Sequence, residues 1–268
     1  MTIIDVGSGP AVVMVPGVQG RWEWMRPGVE ALARNCRVVT FSLADEPTCG
    51  GAFAADRGFD CYVEQVRAAL DARGIERAAI CGVSYGGLVA AAFAARYPQR
   101  TASLVLVSAL PPSWTPDARV ALYLGWPKLL APLFCLASLR MHREIAAASG
   151  DWLDGLRASA RHGWNVVTHM FSPVRMARRV SLIAGVDLVA VTSGVQAPAL
   201  IVTGEEQLDR VVPVRLTREY LRLCPDARVA TIERTGHLGL ITRPDAFAAA
   251  VTPFVHETAK LESRRRVG

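Results

Sequence analysis

The chain has no run of about 18 uninterrupted apolar residues, the length a helix needs to cross a bilayer. Its most apolar stretch, VALYLGWPKLLAPLFCLASL, is broken by Pro127, Lys128 and Pro132, so no integral membrane segment is expected. MTIIDVGSGP at the start has no basic region ahead of an apolar stretch. A secretory leader is therefore not expected, and the expected location is cytoplasmic. No Cys-x-x-Cys pair occurs among the six cysteines at 36, 49, 61, 81, 135 and 224. They read as free, mostly buried thiols and not as a disulfide frame. HExxH is absent, as are paired Cys or His at ligand spacing, so no metal site is expected. GxGxxG is absent too, and no acid follows a second strand at dinucleotide spacing. The expected protein is cofactor-free. Without internal repeats or low-complexity tracts, solenoids and disorder also drop out.

Clustered charge is missing as well. The net charge is +6 and the pI about 9.3, yet the basic residues are scattered, apart from SRRRVG at the C-terminus. A nucleic-acid partner calls for basic residues on one face with a reading motif among them. None is expected here, and the tail reads as a solvated end.

What is present is apolar sequence: 51% of 268 residues, enough for one large core domain with an inserted subdomain. AVVMV (11–15), RVVTF (37–41), AAIC (78–81), SLVLVS (103–108), PALIV (198–202) and RVATI (228–232) are strand candidates. Between them PGVEALARN, CYVEQVRAALDARG, GLVAAAFAARYP and TREYLRLCP carry apolar residues three and four apart, the helical period. Alternating strand and helix predicts an α/β fold, a mostly parallel sheet covered on both faces. The alternation lapses between Ser108 and Pro198. Residues 111–180 predict a helical cap or lid, leaving 1–110 and 181–268 as the core.

One strand delivers the chain into Gly82-Val83-Ser84-Tyr85-Gly86-Gly87, and a small-residue helix follows at once. This is G-x-S-x-G in strand–turn–helix context, the arrangement that lifts a serine hydroxyl to the end of a sheet. Glycines are needed there because the turn is strained and its neighbours leave no room for a Cβ. GSGP near the N-terminus precedes a strand and reads as a turn. A serine needs a base to act as a nucleophile. Of the five histidines, His142, His162 and His169 fall in the insertion and His256 in a late helix. His237, in RTGHLGLITRP just past the last strand, is the candidate. A carboxylate is then needed to orient it, and GEEQLDRVVP after PALIV offers Glu205, Glu206 and Asp209.

Taken together, the GVSYGG turn, the acid-bearing turn and GHLGLITRP resemble an α/β-hydrolase-fold protein over nearly the whole chain, in that family's order of serine, acid and histidine. The resemblance implies a serine esterase-type hydrolase forming an acyl-enzyme on Ser84, with His237 as general base and acid. It also implies an acid at G-x-x-D-x-x-V-P. Here the turn is two residues longer. Counting back from Val212-Pro213 selects Asp209, with Glu206 as the runner-up. Tyr85, after the nucleophile, supplies one backbone donor of the oxyanion hole. The second is expected on Val18, although Pro16-Gly17 replaces the usual His-Gly there. FSLADEPTCGG likewise departs from the usual Asp-x-x-Gly-x-Gly turn; Asp45 and Glu46 in it are expected to be solvated. Trp22 and Trp126, with Trp24, are candidate substrate contacts, and the apolar insertion suggests a small, fairly apolar acyl substrate. Acyl transfer, peroxidation, carbon–carbon bond hydrolysis and plain ligand binding are the alternatives.

Overall fold

A computed structural model describes residues 1–51, 55–133, 141–148, 172–224 and 226–267. Seven strands form one sheet in the order β1-β3-β2-β4-β5-β6-β7. They are β1 (Ile3–Val6), β2 (Ala11–Val15), β3 (Arg37–Phe41), β4 (Ala78–Val83), β5 (Thr101–Val107), β6 (Ala199–Thr203) and β7 (Arg228–Thr231). All neighbours pair in parallel except β1, which runs antiparallel on β3, Ile3 opposite Phe41. Six strands are those the apolar runs predict. β1 was not expected: it is a four-residue edge strand that is only partly buried, and it lacks a run long enough to announce itself.

Successive residues of β2 go to opposite faces, as strand geometry requires. Val13 and Val15 join the cluster under α2 (Asp60–Ala72) and α3 (Tyr85–Arg96), with Tyr62, Val66, Leu88 and Phe93. Val12 and Met14 join the cluster under α1 (Arg26–Leu32), with Val29, Leu32, Phe247 and Phe254. Both faces are apolar, so these strands read as continuous hydrophobic runs. β7 at the other edge is largely exposed.

Between β5 and β6 the described residues form helices and no strand: α4 (Ala118–Gly125), α5 (His142–Ala148), α6 (Pro173–Ile183) and α7 (Leu188–Ser193). α4 packs on α6, and α7 packs on α3, returning the chain to the sheet. The expected boundary at 180/181 falls inside α6. Asp117 and Asp187 cap α4 and α7, and Ser172 caps α6, each accepting a first-turn N–H. TREYLRLCP was expected to be one helix and is instead part of two single turns, Val214–Thr217 and Tyr220–Leu223. The Thr217 hydroxyl bonds back to the Val214 carbonyl at 2.7 Å, competing with the helix ladder. The C-terminal helix α8 (Pro244–Val267) closes the α1 face.

Cys36, Cys49, Cys61, Cys81 and Cys224 are free and buried; Cys135, His162 and His169 lie outside the described residues. Among the described residues no helix is long and apolar enough to cross a membrane.

Candidate active site

Ser84, Asp209 and His237 lie in the turns that follow β4, β6 and β7, the carboxyl ends of three parallel strands. At Ser84 the backbone takes φ 52° and ψ −117°, a sparsely populated conformation that costs about 1–3 kcal/mol and needs a surrounding structure that enforces it. Two packing constraints do so. A Cβ on Gly82 would sit 2.2 Å from the Gly86 carbonyl oxygen, and one on Gly86 would sit 2.4 Å from the carbonyls of Val15 and Pro16. The Ser84 N–H then donates to Val107 at 2.9 Å, and its carbonyl accepts from Gly87 at 2.9 Å.

Of the three carboxylates after β6, the structure brings Asp209 to His237. Asp209 Oδ2 lies 3.3 Å from His237 Nδ1, while Oδ1 accepts the N–H groups of Val211 and Val212, both at 2.9 Å. One oxygen anchors the carboxylate to its own turn and the other faces the imidazole. Burial pushes the Asp209 carboxyl up; the His237 hydrogen bond and charge, with the two backbone donors, outweigh it and hold it below the ordinary value. Glu206 is exposed and accepts from the Arg215 N–H at 2.7 Å; Glu205 accepts from the Arg234 N–H at 2.7 Å. Glu206 thus braces the stretch that follows the turn, and Glu205 the loop that leads to His237.

The oxyanion-loop candidate Val18 sits in a turn closed by Gly20 N–H donating to the Gly17 carbonyl at 2.9 Å. In such a turn the N–H of the second residue has no partner within the turn. Gly17 is beside Ser84: a Cβ there would lie 3.5 Å from Ser84 Cβ. Tyr85 opens α3, where the first N–H groups have no intrahelical acceptor. Its phenol is fully buried, edge-on to Phe59 and Tyr62. Burial holds that phenol well above its ordinary pKa, so it remains a donor, to the Arg179 carbonyl at 3.1 Å.

Trp22 lies under the Arg26 guanidinium, 5.0 Å from its ring centroid, and packs on the α1-side core. Trp126, at the end of α4, is 62% exposed. His256 is spent on structure, its Nε2 2.9 Å from the Asn35 carbonyl. Among the described residues no three His, Cys, Asp or Glu side chains gather as a metal site.

Two acids expected to be solvated are not. The side chains of Asp45 and Glu46 are 4% and 1% exposed and pair with Arg179, which is itself fully buried. Breaking one partner out of such a buried ionic cluster typically costs about 3–5 kcal/mol. Sequence reasoning also missed Glu144. This buried carboxylate of α5 accepts from the Leu238 N–H at 2.5 Å and from the Thr235 hydroxyl at 2.8 Å, on either side of His237. Neither cluster has a local sequence signal, since the partners in each are far apart along the chain.

A profile of the alpha/beta hydrolase family matches residues 12–250. The chain belongs to that family. It is 31% identical to a 2-hydroxymuconate semialdehyde hydrolase of Pseudomonas putida, over 96% of this chain and 87% of that one. It is 27% identical to a 2-hydroxy-6-oxo-2,4-heptadienoate hydrolase, also of Pseudomonas putida, over 94% and 91%. The fold also matches the crystal structure of an enol-lactonase from Burkholderia xenovorans LB400, with TM-score 0.76, 21% identity and 95% of each chain covered. The protein is thus an α/β hydrolase, built on a mostly parallel seven-stranded sheet flanked by helices.

Proposed function

We propose that this α/β hydrolase is a cofactor-free serine hydrolase of fairly apolar carboxylic esters, with Ser84 as nucleophile, His237 as general base and Asp209 as the acid that orients it. The observation that carries the reading is the 3.3 Å contact between Asp209 and His237 Nδ1. A carboxylate on Nδ1 selects the tautomer whose Nε2 is the acceptor, which is the atom a serine proton needs. His237 removes the Ser84 proton as the hydroxyl oxygen attacks the ester carbonyl. It returns that proton to the alkoxide, which leaves as alcohol. Water activated by the same imidazole then releases the acid from the acyl-enzyme. The main-chain N–H groups of Val18 and Tyr85 hold the oxyanion, each donor contributing about 10²–10³ in rate. Residues 111–180 act as the cap, with Glu144 and Arg179 tying it to the loops that carry His237 and Val18. Their contacts with both loops support that role.

A second reading has a specific observation behind it. The 31% identity to a 2-hydroxymuconate semialdehyde hydrolase favours carbon–carbon bond hydrolysis of a related dienoate by the same three residues. One experiment separates these readings. Reaction with a fluorophosphonate followed by peptide mapping should give an adduct on Ser84, and Ser84→Ala should abolish turnover of every substrate. Aryl esters of graded acyl length and a 2-hydroxymuconate semialdehyde are then compared as substrates. No adduct on Ser84 in the folded protein would overturn both readings. Turnover confined to the semialdehyde would favour the second.

A further inference from the structure

We propose that Arg179 is a positioning residue for the oxyanion hole, joining through one residue of α6 both main-chain segments that present its donors. The inference rests on the reading of Ser84 as the nucleophile.

The guanidinium donates through Nη1 to the Val18 carbonyl at 2.7 Å. That carbonyl belongs to the peptide following the Val18 N–H, so the bond limits how far the Val18 backbone can rotate. On the other side, the main-chain carbonyl of Arg179 accepts the Tyr85 hydroxyl at 3.1 Å. Tyr85 is the residue whose N–H is the other donor. The two donor-bearing residues belong to separate loops, after β2 and after β4. Arg179 touches both.

The rest of the guanidinium is held so that this geometry cannot drift. Nε and Nη2 donate to Asp45 Oδ1 at 3.0 and 2.7 Å, and Nη2 donates to Glu46 Oε1 at 2.5 Å. Arg175 Nε supports the same Glu46 oxygen at 3.1 Å. Burial pulls the Arg179 guanidinium down, but Asp45 and Glu46 more than offset this, so it keeps its charge. The cluster reaches the oxyanion loop because Gly20 has no side chain. At φ +80°, a Cβ there would lie 2.3 Å from Arg179 Nη1. The Gly20 carbonyl in turn accepts the Leu43 N–H at 2.7 Å, tying the loop to the turn that carries Asp45 and Glu46. A planar fork with several fixed donors can serve two carboxylates and a carbonyl at once; a lysine ammonium presents a point charge and cannot reproduce it. The hole is therefore complete only when α6 is docked.

The test uses the whole chain, an aryl ester that the wild type hydrolyses, and a boronic acid that forms a tetrahedral adduct on Ser84. Arg179→Lys and Gly20→Ala, the latter displacing the guanidinium with every charge retained, are compared with wild type for kcat, KM, boronate affinity and thermal midpoint. Tyr85→Phe removes the other link alone. Arg179→Gln combined with Asp45→Asn keeps the cluster's charge in balance, so a misfolded single variant does not decide the outcome. We expect folded variants whose kcat and boronate affinity fall together by about 10–100-fold with KM nearly unchanged, Arg179→Lys keeping more activity than Arg179→Gln with Asp45→Asn. A folded variant set with unchanged kcat and boronate affinity would overturn the proposal alone, provided wild-type Ser84 takes up a fluorophosphonate. Losses of thermal midpoint without loss of boronate affinity would overturn it too. A wild type that fails to label at Ser84 would overturn the hydrolase reading and this proposal with it.

Discussion

Gly236, the residue before His237, packs directly on the main chain of the acid-bearing turn. A Cβ on it would lie 2.6 Å from the Asp209 nitrogen and 2.5 Å from the Leu208 carbonyl carbon. The contact is reciprocal, since a Cβ on Gly204 would meet the Thr235 carbonyl oxygen at 2.4 Å and Gly236 Cα at 2.5 Å. Two backbones in contact leave no flexible side chain to move aside, and this closeness is what sets the distance between Asp209 and His237. Gly236→Ala should therefore push the two turns apart, lowering the thermal midpoint by an amount equivalent to about 1–3 kcal/mol. It should also reduce kcat on any ester the protein hydrolyses. Thermal melts and initial rates check this together. A variant with wild-type rates would show that the turns are not what spaces the pair.

The sheet was legible where burial on both faces writes a strand as a continuous apolar run, as in β2, β4, β5 and β6. It failed at β1, because an edge strand of four partly buried residues carries no such run. In the acid-bearing turn, counting back from Val212-Pro213 leads to the carboxylate that lies against His237, and the local bonding shows why the count runs from that end. The Asp209 carboxylate accepts the N–H groups two and three residues ahead of it, and Pro213, having none, ends that row of donors. The two added residues, before Asp209, leave this local geometry untouched. Arg179 and Glu144 could not be placed in the same way. Their partners lie 134 residues away at Asp45 and 94 away at Leu238. Only the three-dimensional path of the insertion brings them together. Asp45 and Glu46 were misjudged as solvated for the same reason: a loop acid looks the same in sequence whether or not a distant arginine covers it.

The turn after β6 yields a direct contrast between its acids. In the proposed serine hydrolase, Asp209→Asn keeps the shape but removes the charge that would select the His237 tautomer. Loss of that charge from a serine–histidine–aspartate site is worth roughly 10⁴ in kcat. Glu206 is exposed, and its contacts are with the Arg215 N–H and guanidinium. Glu206→Gln should thus change kcat by less than about threefold, as surface substitutions do. Steady-state rates of the two variants on one ester settle the comparison. Equal, small effects would mean that another acid serves His237.

Glu144 offers a signature in stability against pH. Burial raises its carboxyl above the ordinary value of 4.5, outweighing the hydrogen bonds from Thr235, Gly236 and Leu238 and the His237 charge. A raised folded pKa means that the folded chain holds this proton more tightly than the unfolded chain does. The group's contribution is then fully present below 4.5 and is lost as pH rises through the folded value. Asp209 has the opposite sign: its lowered pKa stabilises above 3.8 and is lost as pH falls through the folded value. Replacing Glu144 by Gln leaves an amide oxygen to accept from Leu238 and Thr235 and removes the ionisable group. The thermal midpoint of Glu144→Gln, relative to wild type, should therefore be more favourable near about pH 8 than near about pH 4. Glu144→Ala removes the acceptor as well, and should be destabilised at both. Melting curves of the three proteins across that range test the sign. A Gln variant that loses ground to wild type as pH rises would mean that the buried carboxylate is stabilised when charged, and that its contacts outweigh the cost of its burial.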